Sequence, residues 1–156
     1  MKINIRPATQ NDLSEILNLY HELHESEPVM EINTDIISVW SQILSDDRLE
    51  CFVAEVENKV IATCILDIVP NLTRNARPFG VLQNVVTSKN YRGMGVGKVL
   101  NKHALDYAWS KNCYQVLVQT GRPKVTSFYE SLGFRRDKIG LVAKHPEACC
   151  FKTDGV

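Results

Sequence analysis

Val85-Val86-Thr87-Ser88-Lys89-Asn90-Tyr91-Arg92-Gly93-Met94-Gly95-Val96-Gly97-Lys98-Val99-Leu100 is the stretch on which the reading of this chain turns. An apolar strand-type run enters a loop with three alternating glycines, and a helix-type pattern follows at once. Such glycines let the backbone turn tightly and leave N–H groups uncovered. The first N–H groups of a helix have no internal partner and form the positive end of its dipole. Together they make an anion site suited to phosphate. Lys89, Arg92, Lys98 and Lys102 surround it, and no acid lies between Asp67 and Asp106. A tight surface turn without a ligand is the plainer alternative.

Working outward, residues 3–6 alternate like a short strand. Thr9-Gln10-Asn11-Asp12 reads as a capping box, opening a helix with Leu13, Ile16, Leu17, Tyr20 and Leu23 or His24 on one face. Thr34 is placed to cap a second helix that turns Ile36, Ile37, Trp40, Ile43 and Leu44 inward. Two apolar runs, 51–56 and 60–69, flank a hairpin turn at Glu57-Asn58-Lys59. Residues 70–78 are a loop by their turn residues, and 79–87 is the third strand of the meander. A helix runs from the glycine turn to about Lys111, and a strand covers 114–120. A short helix over 124–132 ends at Gly133, a C-terminal cap. Residues 134–137 and 140–144 read as a last pair of strands. The order β-α-α-β-β-β-α-β-α-β-β predicts a mixed α/β sheet with helices on both faces.

The chain has 156 residues, 44% hydrophobic and 23% charged, which suits one domain with a core that needs no disulfide or metal. We expect a single domain over 1–156, with a core at 3–145 and a tail at 146–156. Five cysteines, an odd number without zinc-type spacing, read as free thiols of a reducing compartment. Cys51, Cys64 and Cys113 belong to the core by their apolar surroundings, and Cys149-Cys150 lies in the tail. No membrane helix or signal peptide is apparent, so a cytoplasmic location is expected. Net charge is zero, yet residues 1–67 carry −9, residues 68–129 carry +8 and residues 130–156 carry +1. This segregation implies one region that meets an anion and another that meets a cation, or two differing solvated faces.

Two phosphate motifs fail on these residues. A dinucleotide fingerprint needs G-x-G-x-x-G, and here the glycines run G-x-G-x-G. A P-loop needs a glycine where Arg92 stands and a hydroxyl where Val99 stands. What fits is R-x-x-G-x-G at Arg92, Gly95 and Gly97. With the strand NVVT, the turn and helix YRGMGVGKVL and the downstream FYESLGF, the chain resembles the GCN5-related N-acetyltransferase (GNAT) family over nearly its whole length. The stretch VPNLTRNARPFGVLQNVVTSKNYRGMGVG further resembles a bacterial branch of undefined substrate.

The resemblance implies an α/β fold of the α+β type. Its sheet is mixed, mostly antiparallel and six- to seven-stranded, flanked by about four helices. It also implies transfer of an acetyl group from acetyl-coenzyme A to a primary amine of a small molecule or peptide, by direct attack in a ternary complex. Arg92, Gly93, Met94, Gly95, Val96 and Gly97 are expected to wrap the pyrophosphate, with a charge contact from Lys98. Val85, Val86 and Thr87 are expected to offer backbone groups to the pantetheine arm. Tyr129 is expected to protonate the leaving thiolate, as a phenol of pKa about 10 can do for a thiol of about 8.5; a structural packing role is its alternative. Many relatives carry glutamate where this chain has Gln83, which cannot act as a base, so no base is assigned. Gln83, Asn84, Glu25 and Arg74 are expected around the acceptor. The acidic Glu22, Glu25, Glu27 and Glu31 favour a cationic acceptor, while Arg74 and Arg77 favour an anionic group on it. A homodimer is expected as an option, and no metal, membrane or nucleic-acid partner. Gln83 also motivates an alternative, a non-catalytic acyl-coenzyme A sensor.

Overall fold

The computed structural model describes residues 1–145. The tail at 146–156, including Cys149 and Cys150, lies outside the described residues. A five-stranded sheet has the order β1-β2-β3-β4-β5, with β1 at Asn4–Pro7, β2 at Leu49–Val56, β3 at Lys59–Val69, β4 at Phe79–Thr87 and β5 at Val116–Val118. The first four strands pair antiparallel in sequence order, and β5 joins β4 in parallel. The β2–β3 turn puts Glu57 and Asn58 at φ 50° and 62°, the left-handed pair that a two-residue hairpin requires.

Helices cover both faces, as the apolar periodicities predict. On one face α1 (Leu13–Leu23) and α2 (Thr34–Ser45) bury Leu13, Ile16, Leu17, Leu19 and Trp40 against Cys51, Val53, Val60, Ile65 and Val86. On the other, α4 (Val96–Ser110) buries Val96, Leu100 and Ala104 against Phe52, Ala54, Ile61, Cys64 and Leu82. Two expectations for α2 need correction. Its cap is Asn33, whose Oδ1 accepts the Ile36 N–H at 3.0 Å, and not Thr34. Ile37 is exposed, because the stripe that meets the sheet runs through Ile36, Trp40, Ile43 and Leu44. Cys51, Cys64 and Cys113 are buried, and burial pushes the Cys51 thiol up to about 11, so it stays a neutral core group.

The capping box forms and is tied to the sheet. Asp12 accepts the Thr9 N–H at 2.7 Å and holds the Arg6 guanidinium through two bonds of 2.8 and 2.9 Å. Glu55 on β2 takes the same guanidinium at 2.7 Å. The guanidinium holds the buried Asp12 carboxyl at about 2, below its ordinary 3.8. That depression contributes about 2 kcal/mol. Because the folded value is the lower one, the contribution is complete above about pH 4 and fades as pH falls through about 2. Asp12→Asn is expected to lower the melting temperature by roughly 4–8 °C at pH 7. The difference from the parent should shrink towards pH 2, and equal melting at pH 7 would refute the assignment.

The C-terminal part departs from expectation. After β5 come α5 (Thr126–Glu130) and a turn closed by Gly133 at φ 92°, with the Phe134 N–H returning to the Tyr129 carbonyl at 3.2 Å. The cap at Gly133 is thus the predicted one. Residues 134–137 and 140–144 form no strands, so the sheet has five strands among the described residues where six to seven were expected. Each segment is only four or five residues long, and an isolated short hairpin is marginal in water. Among the described residues no strand covers the outer edge of β5, and Ile139, Leu141 and Val142 are exposed.

Candidate active site

The site begins where two strands part. β4 pairs with β5 only from Gly80↔Val116 to Leu82↔Val118, but β4 runs on to Thr87. A bulge starts at the same place. Thr63 faces Val86 and Ile65 faces Gln83, so β3 advances two residues while β4 advances three. Asn84 sits in that bulge at φ 49°, left-handed and strained for a residue other than glycine. The β5 side of residues 83–87 therefore has no strand beside it among the described residues. A slot of this kind receives an extended chain through backbone hydrogen bonds.

At the end of β4 the chain makes a short 3-10 turn, Lys89–Tyr91, and then the glycine turn. Gly93 and Gly95 have φ 77° and 83°, and Gly95 is the N-cap of α4. A Cβ added at either would meet nothing within 4 Å, so both need glycine for backbone conformation and open onto free space. Gly97 differs, since a Cβ there would lie 3.1 Å from Thr87 Oγ1 and 3.5 Å from the Phe128 ring. Residues of β4, α4 and α5 thus converge at one point. Arg92 is fixed to the same strand, its Nε donating to the Thr87 carbonyl at 2.9 Å. The free amides at the start of α4, with Arg92 and the exposed Lys98, make a cradle that fits a diphosphate. Lys102 is set apart, paired with Asp106 at 2.9 Å.

Tyr129 lies on α5, one residue from the ring that touches Gly97. Phe128 and Phe134 hold its ring edge-on at 5.1 and 5.6 Å. Burial pushes its phenol up, so it carries its proton at neutral pH. It lines a groove of about 840 Å³ that runs along β5 between α4 and residues 132–142. The glycine turn is not part of that groove.

Of the expected acceptor residues, Gln83 and Asn84 are exposed at the bulge. Glu25 and Arg74 lie beyond opposite ends of β4. Glu25 pairs with Lys89 at 2.6 Å. Arg74 sits in α3, a single turn at Thr73–Ala76 whose Arg74 and Asn75 are left-handed, and its guanidinium lies 5.9 Å above the Tyr114 ring. Arg77 donates to the carbonyls of Asn112 and Cys113, so it ties the loop to the end of α4.

Sequence reasoning missed the part that three residues play here. Glu22 on α1 accepts from Ser88 Oγ at 3.1 Å and from the Lys89 N–H at 2.6 Å, with Arg92 at 3.6 Å. The acidic first third and the basic middle of the chain meet here. Asn101 is fully buried and donates back to the Gly97 carbonyl at 2.7 Å, holding the first turn of α4. Tyr20 on α1 has a buried hydroxyl without a hydrogen-bond partner among the described residues, and Asn84 is near enough to perturb it. Only the acidic run around Glu22 gave any signal in the sequence.

A parted pair of parallel strands, a bulged strand and a glycine-capped helix thus set an open slot beside a cluster of free amides. Residues 11–134 match the Acetyltransferase (GNAT) family, and the chain belongs to that family. It is an N-acetyltransferase, and its family takes the acetyl group from acetyl-coenzyme A. Glucosamine 6-phosphate N-acetyltransferase of Trypanosoma brucei brucei is 30% identical over 133 residues, covering 85% of this chain and 89% of that one. A solved structure from Agrobacterium tumefaciens with a provisional acetyltransferase assignment is 40% identical, covers 91% of this chain and 99% of its own, and superposes with a TM-score of 0.87. Glucosamine-6-phosphate N-acetyltransferase from Arabidopsis thaliana shares the fold, with a TM-score of 0.81 at 23% identity, over 92% of this chain and 99% of that one. Among the described residues no helix is long and apolar enough to cross a membrane, and no group of three His, Cys, Asp or Glu is placed to hold a metal.

Proposed function

We propose that this protein acetylates the primary amine of a small, anionic acceptor, with an amino sugar phosphate as the first candidate, by direct attack in a ternary complex. The observation that carries the reading is the slot beside residues 83–87 leading from the cradle at residues 92–98. Pyrophosphate held by the amides and by Arg92 and Lys98 directs the pantetheine arm along Val85, Val86 and Thr87. The strand amides there polarise the thioester carbonyl. Holding amine and thioester together supplies rate through proximity and orientation. Tyr129, protonated at neutral pH, gives its proton to the departing sulfur.

Gln83 and Asn84 border the acceptor on the other side of the slot. The family relatives support a phosphorylated amino sugar, and Arg74, paired with no carboxylate among the described residues, supplies a cation for an anionic group. Nothing beyond Gln83 favours a non-catalytic sensor.

The test measures thiol release from acetyl-coenzyme A with glucosamine 6-phosphate, spermidine, an aminoglycoside and a peptide with a free N-terminus. Turnover with glucosamine 6-phosphate, reduced at least tenfold when its phosphate is removed, is the expected result. Equal rates with and without the phosphate would overturn the anionic acceptor. Tight coenzyme A binding with no turnover on any amine would overturn the transfer reading.

A further inference from the structure

Gln83 is an amide and cannot take a proton, yet an ammonium must lose one before its nitrogen can attack. The register supplies a carboxylate elsewhere. Ile65 faces Gln83, and Asp67 faces Val81. Ile65 belongs to the core under α1 and α2, while Cys64 and Leu66 belong to the α4 side. Alternation therefore sets Gln83 and Asp67 on the same face, the one under α1 and α2. They are diagonal cross-strand neighbours, roughly 7–8 Å apart at the backbone. One water with two hydrogen bonds of about 2.8 Å can join side chains so placed.

Asp67 Oδ1 is buried and has no hydrogen-bond partner among the described residues. A buried carboxylate oxygen left without a donor is costly, so such a group usually holds a water or a ligand. The same face carries a second orphan, the Tyr20 hydroxyl, next to Asn84. Two unpartnered polar atoms with Gln83 and Asn84 make a polar strip that a bound water needs. Arg48, paired with Asp46 at 3.0 Å, is the cation whose field reaches Asp67.

Resting on the amine-acetylation reading above, we infer that Asp67 is the proton acceptor for the incoming ammonium, through a water held by Gln83. An ammonium N–H bond breaks and its proton passes to the water, which gives a proton to Asp67 Oδ1. The freed lone pair forms the bond to the acetyl carbon as the C–S bond breaks. The thiolate takes the Tyr129 proton, the nitrogen now bonded to the acetyl carbon gives its second proton to solvent, and Asp67 and Tyr129 return to their starting protonation states by exchange with solvent.

The experiment compares the parent, Asp67→Asn, Gln83→Glu and the double variant on the amine panel. Asp67→Asn is expected to lower kcat about 10²-fold, the low end for loss of a general base, with acetyl-coenzyme A KM within threefold and unchanged melting. Adding Gln83→Glu should recover kcat to within tenfold of the parent, because it returns a carboxylate to the same strip. A purely structural role for Asp67 gives no such rescue. Unchanged kcat in Asp67→Asn, a change confined to amine KM, or no rescue by Gln83→Glu each overturns the assignment and leaves the transfer reading standing. A parent that turns over no amine removes both.

Discussion

Gly95→Asp is expected to weaken coenzyme A binding by about 10³-fold while leaving the free protein folded. The free protein tolerates the change for two reasons. A Cβ at this position meets nothing within 4 Å. Aspartate is also a favoured helix N-cap and tolerates left-handed backbone better than most residues. Its carboxylate can take the first amides of α4 for itself. A diphosphate then meets a like charge where it needs donors, and two unit charges 4 Å apart repel by about 4 kcal/mol at a surface-like dielectric. That energy corresponds to roughly three decades in Kd. Gly95→Ala separates the backbone term from the charge. It carries only the left-handed cost of about 1–2 kcal/mol, which the free and bound states share, so it should lower stability and leave coenzyme A binding close to that of the parent. Thermal protection is a direct readout, since ligand at 100 times Kd adds about 2.7 kcal/mol to stability. Coenzyme A protection of Gly95→Asp equal to that of the parent would refute the anion cradle.

Tyr129→Phe is expected to lower kcat by 10²–10³-fold with coenzyme A affinity within threefold of the parent. Only a hydroxyl is removed. The ring keeps its edge contacts with Phe128 and Phe134, so α5 and its contact with Gly97 stay in place. Burial keeps the phenol protonated beyond its ordinary range, which makes it an acid and not a base at working pH. A positioned general acid contributes about 10²–10⁴-fold, and a thiolate leaves readily enough to put the effect in the lower half of that range. Pre-steady-state thiol release separates this from slow product release. A parent-like kcat would return Tyr129 to a packing role.

Much of the cradle was legible because its information is local. Gly93, Gly95 and Gly97 fix a turn within five residues, and Arg92 and Lys98 flank it directly. The capping box at Thr9 and Asp12 was readable on the same ground, a contact between residues three apart. The expected strands at 134–137 and 140–144 failed for the opposite reason. A strand exists only when its backbone groups find a partner, and no local pattern says whether one is present. The cap of α2 slipped by one residue because Asn33 and Thr34 are both capping residues and only the backbone geometry chooses between them.

The residues around the thioester and acceptor were harder to read. Glu22 is 66 residues from Ser88 and 67 from Lys89, yet one carboxylate joins them. Asp67 was visible as a strand residue, but its face depends on register, and the bulge at Asn84 resets that register just after Gln83. A shift of one residue would have turned every side chain of β4 beyond it to the other face.

By itself the sequence determined the glycine turn, the helices and central strands that flank it and the family, because short-range backbone chemistry and apolar periodicity write those into neighbouring residues. Only the tertiary structure decided where β4 and β5 part, which acids dock on the basic turn, and that Asp67 shares a face with Gln83. Those facts depend on long-range pairing and packing, in which the partner of each residue lies tens of positions away in the chain.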